Sequence, residues 1–280
     1  MVIRVCLLVL CSLSGMPGAA VPVVTAGSAL LFDANTGRVL FKKNENERRP
    51  VASTQKLLTS LIIAESGNLS NPVAIVTNDT LAEPTKLYLK SGDSYTRMEL
   101  LTALLIKSPN DAARALARDN AGDLAGFAEK MNRRMVQLGG TSSNFINPNG
   151  LPAQNQYSTA RDMARVARAA YFNPLLRDIM RTKYHTFHYA SGKTAAIKNT
   201  NRVLRSYSFC NGMKTGYTDA AGHCLISSGS YNGKDVIAVV FGEKKSHIWD
   251  ESAALLAFGL GLDQVQMASL RVAPPKTGEE

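Results

Sequence analysis

Residues 27–33 and 38–42 alternate apolar and polar positions on either side of Asn35-Thr36-Gly37, a turn signal, and so predict an antiparallel strand pair. Ser53 then opens a run in which Leu57, Leu58, Leu61 and Ile62 recur three and four apart, the spacing of one buried helix face. The stretch from Thr85 to Ser94 predicts short strands. Apolar positions three or four apart predict helices over Met98–Ile106, Asp111–Asp119, Leu124–Leu138 and Thr159–Tyr171. Tyr184–Tyr189 alternates weakly. Ser206–Lys214, Cys224–Gly229 and Asp235–Phe241 are β-prone and joined by Gly- and Asn-bearing turns, and Ile248–Gly261 predicts a closing helix. Strands thus lie at both ends and helices fill the middle. The expected class is α/β (α+β): an antiparallel sheet built from both chain ends with an inserted helical region. Helices pack on one side of the sheet, and a site lies in the cleft between the two regions. No internal repeat interrupts this plan.

Three short motifs fall on these elements in a meaningful order. Ser53-Thr54-Gln55-Lys56 starts the first helix, Ser108-Pro109-Asn110 follows the second, and Lys214-Thr215-Gly216 ends a late strand. They read as S-x-x-K, S-x-N and K-T-G, the set used by serine acyl-transferases acting on D-Ala-D-Ala peptides or β-lactams. A serine hydroxyl is a weak nucleophile without an adjacent base. Residues three apart on a helix share a face, which sets Lys56 Nζ beside Ser53 Oγ. A lysine acts as base only when neutral, and burial or a second cation, here Lys214, lowers its pKa. Ser108 is then placed to pass a proton to the leaving amine, and Asn110 to hold Lys56 and the substrate amide. Lys214 and Thr215 are placed to bind a substrate carboxylate. Gly216 leaves room for a substrate strand at the sheet edge. Backbone N–H groups of Ser53 and Tyr217 are the expected oxyanion hole. Each motif alone is weak: S-x-x-K arises about once by chance in a chain of this size. A second K-T-G, Lys276-Thr277-Gly278, sits in a polar Pro-led tail without a strand pattern and reads as a chance match.

The flanks carry more. Residues 28–40 are similar to the opening hairpin of the low-molecular-weight penicillin-binding proteins of the D-alanyl-D-alanine carboxypeptidase family. Arg49-Pro50-Val51-Ala52-Ser53-Thr54-Gln55-Lys56 resembles that family's nucleophile segment, and Ser108-Pro109-Asn110-Asp111-Ala112-Ala113 its second motif. Phe145-Ile146-Asn147-Pro148-Asn149-Gly150-Leu151, Ser158-Thr159-Ala160-Arg161-Asp162-Met163 and Asn211-Gly212-Met213-Lys214-Thr215-Gly216-Tyr217-Thr218 complete the likeness, which runs from about Ala29 to about Gly261. The resemblance implies a penicillin-binding-protein/β-lactamase-like fold and a serine-type carboxypeptidase that takes the terminal D-Ala from peptidoglycan stem peptides through an acyl-enzyme on Ser53. It also implies β-lactams as covalent inhibitors and no metal or cofactor. The chain departs from the family where some members carry arginines: it has Thr200 at one place and Lys244-Lys245-Ser246-His247 near the other. Carboxylate recognition then rests more on Lys214 and Thr215. Better-studied relatives continue into a β-rich domain and an amphipathic anchor, and the residues after Gly261 are too few for either.

The first residues read as a secretory leader: Arg4, an apolar core from Val5 to Leu13, and cleavage after Ala20 or Ala26. That core is shorter than a membrane span. The expected organisation is a leader at 1–20, a serine peptidase domain at 27–265 and a polar tail at 266–280. The protein is expected to be exported to the periplasm or outside, near the wall, without a transmembrane segment after cleavage. Cys210 and Cys224 bracket the K-T-G hairpin, and an even cysteine count in an exported chain suits a disulfide between them, with two free thiols as the alternative. Net charge is +10, which favours an anionic polymer such as the wall. Nucleic acid is not expected, since no basic stripe interleaves with aromatics.

Four other readings stay in view. A D,D-endopeptidase cleaving D-Ala crosslinks shares every motif. A class A β-lactamase needs a glutamate where this chain has Asn147-Pro148-Asn149-Gly150. A zinc D,D-peptidase would need clustered ligands, but His185 and His188 lie three apart in a strand-like stretch and so face opposite sides. An inactive wall-binding protein on the same fold would retain the motifs without using them.

Overall fold

Strand β1 (Ser28–Asp33) and strand β2 (Val39–Lys43) form the opening hairpin in the computed structural model, which describes residues 21–273. The expected leader at 1–20 and the end of the tail, with Lys276-Thr277-Gly278, lie outside the described residues. A 3-10 turn (Ala52–Gln55) leads into α1 (Lys56–Glu65). The inserted region continues through β3 (Pro72–Ala74), α2 (Thr77–Thr80), β4 (Ser94–Thr96), α3 (Arg97–Ile106), α4 (Asn110–Ala121), α5 (Leu124–Gln137), α6 (Ala160–Phe172) and α7 (Pro174–Met180). A small hairpin, β5 (Tyr184–His188) and β6 (Thr194–Lys198), precedes α8 (Arg202–Ser206). The chain then returns to the main sheet as β7 (Cys210–Thr218), β8 (Gly222–Tyr231) and β9 (Lys234–Glu243), and closes with α9 (Ile248–Leu260) and α10 (Gln264–Ser269).

The main sheet is antiparallel throughout and runs β2-β1-β9-β8-β7, so the first strands and the last three share one sheet. That is the expected mixed class with a sheet from both chain ends. Helices cover both of its faces, however, not one. Leu30, Phe32, Ile237, Val239 and Phe241 face the core shared with α1 and α3–α7, while Ala29, Leu31, Val236, Ala238 and Val240 face a second core under α8 and α9. The sequence carried this signal: Val236 to Phe241 is an unbroken apolar run, and a strand buried on both faces does not alternate.

Other differences are local. Residues 85–93 form no strand; the short sheet pairs Pro72–Ala74 with Ser94–Thr96. β7 begins at Cys210, because residues 202–206 coil into α8, capped by Asn201 Oδ1 accepting the N–H groups of Val203 and Leu204.

The cysteine pairing is overturned. Cys210 opposes Gly229 and Cys224 opposes Gly216 across the β7–β8 ladder, so the two lie five residues apart along β8. At about 3.4 Å per residue that is roughly 17 Å, far beyond the ~7 Å Cα limit of a disulfide. Both are buried free thiols, one in each core. Burial pushes Cys210 up to about 12 and Cys224 up to about 11, so neither is a reactive thiolate.

Candidate active site

Ser53 is set at the junction of sheet and helices by a strained entry. Ala52 adopts φ +48, a left-handed conformation that alanine rarely takes, and the chain turns there into the 3-10 segment. The first N–H groups of a helix have no intrahelical acceptor, and Ser53 N lies in that first turn. Strand β7 crosses directly above it: a Cβ on Gly216 would come within 2.7 Å of Ser53 N and 2.9 Å of Thr54 N. Only glycine lets the edge strand approach this closely.

Lys56 is fully buried, and its Nζ has three neighbours: Ser53 Oγ at 2.7 Å, Asn110 Oδ1 at 2.6 Å and the Asn149 carbonyl at 2.7 Å. Nζ donates to all three oxygens. Loss of the proton aimed at Ser53 Oγ would leave a lone pair facing that hydroxyl while the other two N–H groups keep Asn110 Oδ1 and the Asn149 carbonyl. Desolvation holds Lys56 well below the ordinary lysine range, nearby Lys214 lowers it further, and buried Asp111 partly opposes them. Lys214 is also fully buried, and desolvation brings it down to about 7. Its Nζ donates to Thr215 O at 3.0 Å.

Asn110 opens α4 and is pinned on both sides. Its Nδ2 donates to Pro84 O at 2.5 Å, and its backbone N–H to Thr85 O at 2.8 Å. Asp111 beside it is buried, forms no ion pair among the described residues, and accepts from the backbone N–H groups of Leu87, Leu89 and Ala112. Burial raises its carboxyl despite those bonds. Together these groups clamp the 84–89 loop onto the start of α4. Ser108 precedes them with φ +68 and is nearly buried, but its hydroxyl makes no hydrogen bond to either lysine among the described residues. Tyr217 lies half out at the rim, stacked on His223 with ring centroids 4.4 Å apart.

Three participants escaped the sequence reading. The first is the Asn149 carbonyl, which also accepts from Ser53 Oγ at 3.2 Å. A main-chain acceptor has no side-chain signature. The available sign was Gly150: at φ +84, a Cβ there would meet Ala52 O at 2.1 Å. The loop is held by Thr59 Oγ1 donating to Pro148 O and Gln55 Nε2 donating to Asn147 O. The second is Asp111, visible as a flank but not as a clamp. The third is the role of Thr200, named in the sequence only as a departure: its hydroxyl lies 2.6 Å from that of Thr215, so the two form a hydroxyl pair.

A serine hydroxyl paired with a desolvated lysine lies beneath the outer strand of an antiparallel sheet, the arrangement of a serine peptidase site. The sequence profile of the peptidase S11 family, D-alanyl-D-alanine carboxypeptidase, matches residues 17–245, and the chain belongs to that family. It is 34% identical over 263 residues to the D-alanyl-D-alanine carboxypeptidase DacB2 of Mycobacterium tuberculosis, covering 91% of this chain and 90% of that one. It is 35% identical over 222 residues to the D-alanyl-D-alanine carboxypeptidase DacF of Bacillus subtilis, covering 78% of this chain and only 57% of the relative's length. A D-alanyl-D-alanine endopeptidase of Pseudomonas aeruginosa is 32% identical over 236 residues, covering 82% and 76%. The crystal structure of a D-alanyl-D-alanine carboxypeptidase from Mycobacterium tuberculosis superposes with a TM-score of 0.83 at 31% identity, covering 89% of this chain and 96% of that one.

Proposed function

We propose that this chain is a serine D-alanyl-D-alanine carboxypeptidase that removes the terminal D-Ala from peptidoglycan stem pentapeptides. The observation that carries the reading is the Lys56 shell: a buried amine 2.7 Å from Ser53 Oγ whose two other hydrogen bonds are taken by Asn110 Oδ1 and the Asn149 carbonyl. Ser53 attacks the penultimate D-Ala carbonyl as Lys56 takes its proton. The substrate backbone lies along β7, which is the outer strand of the sheet and has an unpaired edge. Its terminal carboxylate meets Lys214 and the Thr215 hydroxyl. Asn110 holds Lys56 and the substrate amide, and the Ser108 hydroxyl returns the proton to the leaving amine. The backbone N–H groups of Ser53 and Tyr217 take the developing oxyanion. Water then frees the enzyme. β-Lactams enter the same path and stay attached, because the loop at Asn147-Pro148-Asn149-Gly150 offers a carbonyl and no carboxylate base.

The signal-like N-terminus and the net charge of +10 support export to a compartment with an anionic wall. Among the described residues no helix is long and apolar enough to cross a membrane.

Lys214 must carry its charge to bind a carboxylate, and its pKa lies at about 7. Raising the pH from about 7 to about 8.5 should therefore raise KM for a peptide with a free C-terminus on the order of tenfold. The same peptide with its C-terminus blocked should show no such alkaline limb. Steady-state kinetics on both across that range checks it, and parallel profiles would remove Lys214 from carboxylate recognition.

The endopeptidase reading is kept alive by the Pseudomonas aeruginosa relative. Incubating the purified protein with uncrosslinked pentapeptide and D-Ala-crosslinked dimer, with and without penicillin, separates the two by mass spectrometry. Penicillin-sensitive loss of one alanine from the pentapeptide establishes the carboxypeptidase. Conversion of dimer to monomer, with pentapeptide untouched, makes it an endopeptidase.

A further inference from the structure

A cavity of about 820 Å³ lies outside this site, between the open ends of β5 and β6, α8, the start of α9 and residues 271–273. Among the described residues its charged lining is mostly cationic: Lys183, Arg202, Arg205 and Arg271, with Lys198 at the rim, beside the acid Asp250. Two aromatic rings carry guanidinium groups over their faces. Arg202 stands 5.5 Å from the Trp249 ring centre and Arg271 5.4 Å from that of Tyr207. This orders two planar forks of the kind that match carboxylate or phosphate oxygens. A second observation is independent of the charge. Arg205 Nε and Trp249 Nε1 are buried N–H donors with no acceptor among the described residues, and both residues line this cavity. Buried donors are ordinarily paired, and leaving one unpaired costs free energy. The wall is therefore built of donors whose complement is an acceptor-rich anion.

The position of the cavity says which anion. Its rim, Lys198 and Arg202, brackets Thr200, whose hydroxyl bonds Thr215 of the K-T-G strand. Arg202 is two residues from Thr200, so their Cα atoms are within about 7 Å. The segment between them is fixed: Asn201 Nδ2 donates to Gly212 O at 2.9 Å, and Thr200 N donates to Ile106 O at 3.1 Å. One short, rigid stretch thus serves the carboxylate end of the active site and the mouth of the basic cavity. A polymer whose stem peptide ends at Thr215 carries further carboxylates on its neighbouring stems.

We propose that this cavity binds a free carboxylate of a second stem peptide on the same peptidoglycan strand, so that the enzyme holds its polymer at two points. This rests on the reading of the substrate as a peptidoglycan stem peptide. The predicted consequence is a preference for polymer over monomer that is separable from the chemistry at Ser53.

The test measures two quantities in two backgrounds. Binding of a soluble glycan strand bearing several carboxylate-rich stem peptides is measured in Ser53→Ala, where nothing turns over. Hydrolysis of a single stem pentapeptide is measured with Ser53 present. Arg202→Glu with Arg205→Glu should weaken strand binding at least tenfold and leave monomer kcat/KM within twofold. Trp249→Phe, which removes the indole N–H and shrinks the ring beneath Arg202 while keeping an aromatic face, should weaken strand binding in the same direction. It keeps the test open should the double variant not fold, for which the rate of penicillin acylation is the control. Unchanged strand binding in the folded variants overturns the proposal. So does loss of binding to a phosphodiester polymer of matched charge while strand binding is kept. Absence of monomer hydrolysis by the unaltered protein would instead strike the functional reading, and the strand-binding comparison would still stand on its own.

Discussion

Ser53→Ala is expected to abolish covalent labelling by penicillin and to lower peptide hydrolysis by at least about 10⁴-fold, with the fold unchanged. Oγ is the only atom lost, and no buried donor is stranded by its removal. Lys56 Nζ keeps Asn110 Oδ1 and the Asn149 carbonyl, and the strained turn at Ala52 does not depend on the hydroxyl. Intact-protein mass spectrometry after incubation with penicillin reads the result directly, and circular dichroism confirms the fold. An adduct of undiminished amount on the alanine variant would mean that another residue is the nucleophile.

Lys56→Met is expected to slow acylation by about 10³–10⁴-fold, at the upper range of what a single general base contributes. Methionine fills a similar volume without charge, so the packing around a fully buried position is largely kept. The Ser53 hydroxyl stays in place, still near the Asn149 carbonyl, but has no lone pair to receive its proton. Stopped-flow measurement of penicillin acylation distinguishes this from a binding defect, because the loss should fall on the rate constant at saturating drug. A rate within tenfold of the unaltered protein would leave Lys56 a structural role and move the base elsewhere. Lys214 would be the next candidate, as the other buried lysine with a lowered pKa.

These expectations show how local the legible part of the site was. Ser53 and Lys56 are one helical turn apart, so their contact followed from spacing alone, and the structure places them at 2.7 Å. Lys214 and Asn110 belong to other elements, and only the order of motifs suggested that they meet. The structure brings Asn110 onto Lys56 and Gly216 onto the Ser53 backbone. It leaves the Ser108 hydroxyl without a bond to either lysine, so the proton-shuttle role rests on chemistry and not on an observed contact. Helices with strong apolar periodicity, such as Leu124–Gln137 and Ala160–Phe172, appeared within a residue or two of where the pattern put them. Short elements did not: α7 and α8 have seven and five residues, too few for a period to show.

By itself, the sequence determined the class of fold, the order of its main strands and helices, and the pairing of Ser53 with Lys56. Each of these depends on residues close in the chain or on a pattern repeated along one element. Tertiary structure alone decided what crosses between elements. The β7–β8 register separates Cys210 from Cys224 by five positions. The loop at Asn149 turns a main-chain carbonyl onto Lys56. The packing of α8 against α9, beside the β5–β6 hairpin, gathers cations from distant parts of the chain around one cavity. Register, main-chain direction and the meeting of remote surfaces are fixed by how the whole core packs, and no single segment encodes them.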